Sequence, residues 1–327
     1  MSFVPQFCVG LMADLQFADV PDSVSYVEKT PRRYRQSLSI LGKGAEHFRA
    51  AGTVLNVLLG DLLDFKAASH AETALVSVLE LTQPREKYHF IVGNHDLNVF
   101  SRPRIHETYL PPTVQASTPK TGGILYYAYR PAPGWVFLFL DPFEVSAFNA
   151  ATDGLRREAE ELLAKNNPNL SGEAFAGNWF VGIPLEQQRY VPYNGCISAT
   201  QLQWMLDEVS AADAANERVV VFSHLPVYRR CVHPSGLMWN AETVLAAIQR
   251  SRSVVAWVSG HDHAGGYAVD EAGIHHMIPP APLECNEGQV AFGVLAVGLE
   301  GAQLQWEGKT PANPGDPWPD FLAWRTR

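Results

Sequence analysis

Gly93-Asn94-His95-Asp96 stands directly behind a short apolar run, residues 88–92, that reads as a buried strand. Outward from it the same arrangement recurs twice upstream, at Asp14-Leu15-Gln16 and Gly60-Asp61-Leu62-Leu63-Asp64. It recurs twice downstream, at Ser223-His224 and Gly260-His261-Asp262-His263. Each time a run rich in Val, Ile and Leu stops and a carboxylate, amide or imidazole follows at once. Packing a core gives no reason for five strand ends to carry hard or borderline metal ligands. Together they read as one dinuclear metal centre.

Between these clusters strand-like and helix-like patterns alternate. Residues 7–13 form an apolar run of strand length ending at Asp14 and Gln16. Pro31-Arg32-Arg33-Tyr34-Arg35 reads as the opening of a helix with Leu38, Leu41, Ala45 and Phe48 on its apolar face, stopped by Gly52. Residues 54–59 predict a second strand, 71–81 a helix and 87–92 a third strand. This is the rhythm of parallel βαβ units, in which functional groups gather beyond the strands' carboxyl ends. The polar clusters lie there.

Past residue 100, runs 124–130 and 135–140 flank Pro131-Ala132-Pro133-Gly134 and read as a hairpin ending at Asp141. Residues 142–193 are mixed in composition, with a charged helix at 155–164 and a loop rich in Asn, Pro and Gly at 166–172. They read as an insertion or lid within a single domain spanning 1–327. Ser198-Ala199-Thr200-Gln201 fits a capping box, opening a helix with Leu202, Met205, Leu206 and Val209 on one face. A second βαβ rhythm follows: strand 218–222 ending at His224, helix 241–250, and strand 253–258 ending at His261 and His263. Runs near Tyr267, Ile274, 290–297 and 302–306 predict an antiparallel finish, and the Pro-rich 310–319 an extended surface tail. Two such halves imply an α/β fold of two facing sheets with the ligand clusters at one edge.

The 327 residues are 46% hydrophobic and 18% charged, an ordinary balance for a globular core. A net charge of −9 argues against non-specific nucleic-acid binding, yet leaves room for a phosphate substrate if bound cations supply local positive charge. The four cysteines, Cys8, Cys196, Cys231 and Cys285, make no C-x-x-C pair and read as reduced thiols. With neither a leader-like N-terminus nor a long apolar run, a cytoplasmic monomer with no membrane partner is the expectation.

The clusters resemble the calcineurin-like metallophosphoesterases, whose motifs run D-x-H, G-D-x-x-D, G-N-H-D/E, H and G-H-x-H in that order. Here they stand as Asp14-x-Gln16, Gly60-Asp61-x-x-Asp64, Gly93-Asn94-His95-Asp96, Ser223-His224 and Gly260-His261-x-His263, spread over nearly the whole chain. The resemblance implies a four-layer α-β-β-α sandwich of two facing mixed sheets. It implies Asp14, Gln16, Asp61 and His263 on one metal, and Asp61 as a bridge with Asn94, His224 and His261 on the other. His95 would protonate the leaving oxygen and Asp96 would orient it; Asp64 would have a structural part.

Gln16 stands where the first motif usually has His. An amide oxygen is a harder, uncharged ligand, which favours Mn²⁺ or Mg²⁺ over Zn²⁺, with Fe also compatible. Gln at this position is similar to a narrower branch, the manganese-dependent ADP-ribose/CDP-alcohol diphosphatases. So are Ala13 to Asp19, Arg32-Arg33-Tyr34-Arg35, Asn194-Gly195 with Gln201-Leu202-Gln203-Trp204, Met238-Trp239-Asn240, and Gly260 to Tyr267 continuing to Gly273-Ile274-His275-His276. That branch cleaves the pyrophosphate bond of ADP-ribose, CDP-choline and related small molecules. A cyclic-nucleotide phosphodiesterase or a phosphoprotein phosphatase would use the same centre, and a binding scaffold that kept the fold is the remaining alternative.

For substrate contacts the candidates are Arg32 and Arg33 as phosphate ligands, with Tyr26, Trp239 and Asn240 as a base or ribose wall. A solvated basic face and core packing are the plainer readings. His275 and His276 alternate along a strand, so at most one would face the centre.

Overall fold

The computed structural model describes residues 3–25, 29–117, 123–170 and 179–325. Tyr26 lies outside the described residues. Strand β1 (Phe7–Met12) leads to a short hairpin of β2 (Ser23–Val24) and β3 (Pro31–Arg32), then to helix α1 (Tyr34–Ala50). The helix thus starts after Arg33, not at Pro31. The Arg33 backbone N–H donates to Leu283 O at 2.9 Å and its guanidinium to Cys285 O at 2.9 Å, which keeps the residue non-helical. β4 (Leu55–Leu58), α2 (Ala71–Leu81) and β5 (Tyr88–Phe90) complete the first βαβ series. Three short helices follow: α3 (Asn94–Val99), α4 (Arg102–Tyr109) and α5 (Pro112–Ser117).

β6 (Tyr127–Tyr129) and β7 (Trp135–Phe139) form the expected hairpin. Segment 142–193 carries β8 (Val145–Ser146) and α6 (Asp153–Asn166); β9 (Gly195–Cys196), just beyond it, pairs antiparallel with β8. Then come α7 (Ala199–Ala215), β10 (Arg218–Phe222), α8 (Ala241–Gln249) and β11 (Val254–Val258). β12 (Gly266–Val269), β13 (His275–Ile278), β14 (Ala291–Val297), β15 (Gly301–Gly308) and β16 (Phe321–Ala323) finish the chain.

The strands make two mixed sheets, ordered β16-β15-β14-β1-β4-β5 and β12-β13-β11-β10-β7-β6. β1, β4 and β5 run parallel in the first, and β7, β10, β11 and β13 in the second. All the ligand clusters follow these parallel strands, so they emerge at one edge. The antiparallel finish holds for β12, β14, β15 and β16 only, since β13 lies parallel to β11. β14 crosses back to the first sheet and covers the free edge of β1, which no local pattern announces.

Alternation along β1 explains the layering. Phe7 turns to the second sheet, its ring 5.7 Å from Trp135 and 6.0 Å from Phe137. Gly10, on the opposite face, lets Phe48 of α1 lie on the strand, where a Cβ would meet the Phe48 ring at 2.7 Å. With α1 and α2 outside one sheet and α7 and α8 outside the other, the order is helix, sheet, sheet, helix. The Ser198 capping box is half made: Ser198 Oγ accepts the Gln201 N–H, but the Gln201 amide bonds Asp141 and Glu144. That amide joins α7 to the end of β7 instead.

His89 sits between the sheets, its ring 4.8 Å from Phe139 and Nδ1 3.0 Å from Tyr127 Oη. Burial, with Arg85 nearby, pushes its pKa down to about 3. The neutral form is therefore the native one, and below pH ~6.5 only the unfolded chain takes up this proton. Stability is lost as pH falls from there, by up to about 1.4 kcal/mol per unit, until the folded pKa is reached. His89→Phe is expected to flatten the fall in urea midpoint between pH 7 and 5. An unchanged slope would show that His89 is not what sets it.

Candidate metal centre

Asp14, Gln16, Asp61 and His261 take left-handed backbone conformations, with φ of 45°, 42°, 53° and 72°. For residues other than glycine this costs about 1–3 kcal/mol each and needs support around it. The loops supply it: the Gln16 N–H donates to Asp61 O at 2.8 Å, and the His261 N–H donates to the Asp14 carboxylate at 3.0 Å. Each sharp turn swings a side chain over the strand end that delivered it. The glycines beside them are dictated by contact. A Cβ on Gly93 would lie 2.0 Å from Asp61 Oδ1, and one on Gly60 2.4 Å from His224 Nδ1.

Ligand atoms of Asp14, Asp61 and His224 fall within 4.8 Å of one another, all three residues buried. His224 Nε2 lies 3.6 Å from Asp61 Oδ2 and 3.9 Å from Asp14 Oδ1; His263 Nε2 lies 3.7 Å from Asp14 Oδ1. Gln16 Nε2 is 3.0 Å from Asp61 Oδ2 and 2.9 Å from His263 Nε2. His261 Nδ1 is 3.3 Å from His224 Nε2. Asn94 Oδ1 and Gln16 Oε1 are buried with no hydrogen-bond partner. Asp14, Gln16, Asp61, His224, His261 and His263 are thus brought together, with Asn94 on the helix end beside Asp61.

Charge here is concentrated and dry. Burial, with Asp61 adding to it, pushes the Asp14 carboxyl up to about 6. Burial also works against the Asp61 carboxylate, but His224, His95 and His261 outweigh it and hold its pKa well below the usual range. His224 is driven up to about 9, the carboxylates of Asp61 and Asp14 overcoming its burial. Every ion-pair partner of Asp14 and Asp61 among the described residues is an imidazole. Two buried carboxylates that pair with no Lys or Arg among the described residues, and two buried amide oxygens with no partner, fit the donor set of a pair of divalent ions.

The imidazoles are held from behind. His224 Nδ1–H donates to Leu59 O at 2.6 Å and His263 Nδ1–H to Glu284 Oε1 at 2.8 Å, leaving each Nε2 toward the carboxylates. His261 Nε2 lies 2.7 Å from Asn194 Oδ1. Neither Glu284 nor Asn194 belongs to a ligand motif. Asn194 lies in one of the stretches that resemble the branch, whereas Glu284 gives no signal in the sequence.

Asp96 does not orient His95. Its buried carboxylate accepts the N–H groups of Asp61, Leu62, Leu63 and Gly93 and the Tyr109 hydroxyl, so it fixes the loop carrying Asp61. The carboxylate on the His95 ring is that of Asp64, with Oδ2 3.3 Å from Nδ1. Asp61 and Asp64 raise the His95 pKa in spite of burial. Two residues separate Asp61 from Asp64, enough for a turn, and the second carboxylate comes round to the imidazole.

The expected substrate contacts fare differently. Arg32 Nε lies 3.7 Å from Glu284, and Arg33 is spent on Cys285 O. Trp239 is only 2% exposed, its backbone N–H on Gly195 O, and Asn240 Nδ2 donates to Ile197 O. They pack α8 onto β9 and form no open wall. Neither adjacent histidine reaches the centre, His275 bonding Tyr267 and His276 Asp270. A residue missed in the sequence stands in their place: Phe65 is 50% exposed, its ring 5.5 Å from His95.

The family model for calcineurin-like phosphoesterase matches residues 9–265. A manganese-dependent ADP-ribose/CDP-alcohol diphosphatase of Arabidopsis thaliana is 32% identical, over 90% of this chain and 91% of its own. The Homo sapiens protein of the same name is 28% identical over 93% and 91%. The crystal structure of a dimetal phosphatase from Danio rerio superposes with a TM-score of 0.87 at 28% identity, covering 98% of this chain and 100% of that one.

Proposed function

The chain belongs to the calcineurin-like phosphoesterases, and within them to the manganese-dependent ADP-ribose/CDP-alcohol diphosphatases, and from that premise we propose that it hydrolyses the pyrophosphate bond of ADP-ribose, CDP-choline and related compounds. Water adds across the P–O–P link, leaving a nucleoside monophosphate and a second phosphate ester. The observation that carries this is the meeting of Asp14, Asp61 and His224, whose ligand atoms lie within 4.8 Å of one another. Asp14, Gln16, Asp61 and His263 would hold one ion; Asp61, Asn94, His224 and His261 would hold the other. Held there, two Mn²⁺ ions would supply Lewis-acid charge for the phosphoryl oxygens and would lower the pKa of a bound water.

The protein's own groups do the rest. Glu284 and Leu59 O fix the tautomers of His263 and His224. Asp96 holds the Asp61 loop by its N–H groups. His95, whose pKa Asp61 and Asp64 raise in spite of burial, would pass a proton to the departing phosphate oxygen. Phe65 offers an aromatic face at the same mouth. Stacking of a base on it is worth ~1–3 kcal/mol, so Phe65→Ala is expected to raise KM for ADP-ribose about tenfold with kcat little changed. An unaltered KM would remove Phe65 from the pocket.

The chain would act as one domain over 1–327, with 142–193 as an insertion or lid, and as a cytoplasmic monomer on small molecules. The acidic balance supports the absence of nucleic-acid partners, and no described helix is long and apolar enough to cross a membrane. Light scattering and cell fractionation test these points. For the activity, chelator-stripped protein is given Mn²⁺, Mg²⁺ or Zn²⁺ separately with ADP-ribose, CDP-choline or a cyclic nucleotide. Mn²⁺-restored release of AMP and CMP is expected. Turnover of the cyclic nucleotide alone would keep the centre and overturn the substrate.

A further inference from the structure

We propose that Asn194 is a positioning residue of the metal centre, fixing His261 with its proton on Nε2 and its Nδ1 free for an ion. The inference rests on the metal-dependent reading above and adds a residue that stands at the end of segment 142–193. Asn194 is fully buried. Its Nδ2 donates to two carbonyls, Arg189 O at 2.9 Å and Ser235 O at 2.6 Å. Carbonyls only accept, so those two bonds settle which end of the amide is nitrogen. Oδ1 must then face His261, 2.7 Å from Nε2. An amide oxygen cannot donate, so the hydrogen belongs to the imidazole.

A neutral imidazole with its hydrogen on Nε2 carries its lone pair on Nδ1. Nδ1 is the atom turned into the cluster, 3.3 Å from His224 Nε2. The tautomer that suits Asn194 is therefore the one that suits an ion. The support reaches further out. The Arg189 whose carbonyl holds Asn194 pairs with Glu242 at 2.6 Å, at the start of α8. Asn167, at the end of α6, donates to Trp179 O at 3.1 Å and Tyr190 O at 2.8 Å. The return path of the segment is thus tied down at both ends before it delivers Asn194, and the Tyr193 ring closes over His261 at 5.7 Å.

A plainer role would be that Asn194 only fastens its loop through Nδ2. Two variants separate the roles. Asn194→Leu removes both functions, while Asn194→Asp keeps an oxygen for His261 and loses the two Nδ2 bonds. Mn²⁺ binding to the chelator-stripped full chain is measured by calorimetry and by the free-ion electron paramagnetic resonance signal, with no substrate present. Loss of an imidazole's supporting partner lowers metal affinity about 10–100-fold. Asn194→Leu is expected to weaken one Mn²⁺ site by that factor and leave the other, and Asn194→Asp to recover most of the loss. Equal weakening in both variants, or two unchanged sites in Asn194→Leu, would overturn the proposal. Should Asn194→Leu fail to fold, Asn194→Asp still decides: a drop as large as that of His261→Gln counts against it, and near-normal affinity supports it. Substrate plays no part in the measurement, so a wrong diphosphatase assignment would leave these outcomes readable.

Discussion

Asp61→Asn is expected to lower kcat/KM for ADP-ribose by about 10²–10⁴-fold and to show none of the rise in Tm expected when Mn²⁺ is added to the native protein. Asn has the same shape, so the left-handed turn at φ 53° survives, and with it the fold. What is lost is the buried charge. Asp61 Oδ2 stands between Gln16 Nε2 at 3.0 Å and His224 Nε2 at 3.6 Å, and Oδ1 accepts the His95 N–H at 2.9 Å. An amide offers one acceptor where the carboxylate offers two, so its NH₂ must oppose a donor on one side. A fall of that size corresponds to about 3–5 kcal/mol of lost transition-state stabilisation. Metal analysis, turnover and a thermal melt with and without Mn²⁺ check it. Retained metal and normal turnover would mean that Asp61 holds no ion.

The sequence carries the parts of this site that sit on strand ends. A parallel strand must leave its sheet at the carboxyl end, so Asp14, Asp61, His95, His224 and His261 could be placed at one edge from periodicity alone. The glycines of the motifs are legible for the same reason, because a Cβ on Gly93 would collide with Asp61. Strand order was not legible: nothing in 291–297 says that it will pair with β1 instead of with its sequence neighbour β13. Nor were the groups behind the ligands. Glu284 and Asn194 come from loops joined to the site only by folding, and their distances to His263 and His261 are tertiary facts.

Two readings failed because adjacency in sequence stood in for adjacency in space. Asp96 follows His95 directly, but successive residues on a helix face away from each other, and the carboxylate turns back to the Asp61 loop. Trp239 and Asn240 stand together in a stretch that resembles the branch, but they bond Gly195 and Ile197 and pack α8 onto β9. A resemblance in such a stretch can mark a common fold as readily as a common substrate.

With Asp96 holding the Asp61 loop and Asp64 on the imidazole, His95→Gln should act on the proton and not on the metal. The His95 side chain has no part among the proposed ligands, and its backbone N–H, the group that touches Asp61, is untouched by the substitution. Metal content is therefore expected to stay normal while kcat for ADP-ribose falls about 10²–10⁴-fold, the usual worth of a placed acid. Loss of a proton donor hurts a poor leaving group most. A nitrophenyl phosphodiester, whose phenolate leaves without a proton, should lose little more than tenfold in the same variant. An equal loss on both substrates would make His95 a source of fixed charge and not of a proton. Asp64→Asn should repeat the pattern more weakly, since it removes the carboxylate 3.3 Å from Nδ1 and leaves the imidazole in place. Asp96→Asn should do something else, disturbing the Asp61 loop, weakening Mn²⁺ binding and so lowering turnover of both substrates alike. If instead Asp96→Asn showed the leaving-group dependence and Asp64→Asn did not, the positions of the two carboxylates in this structure would be the wrong guide to the proton.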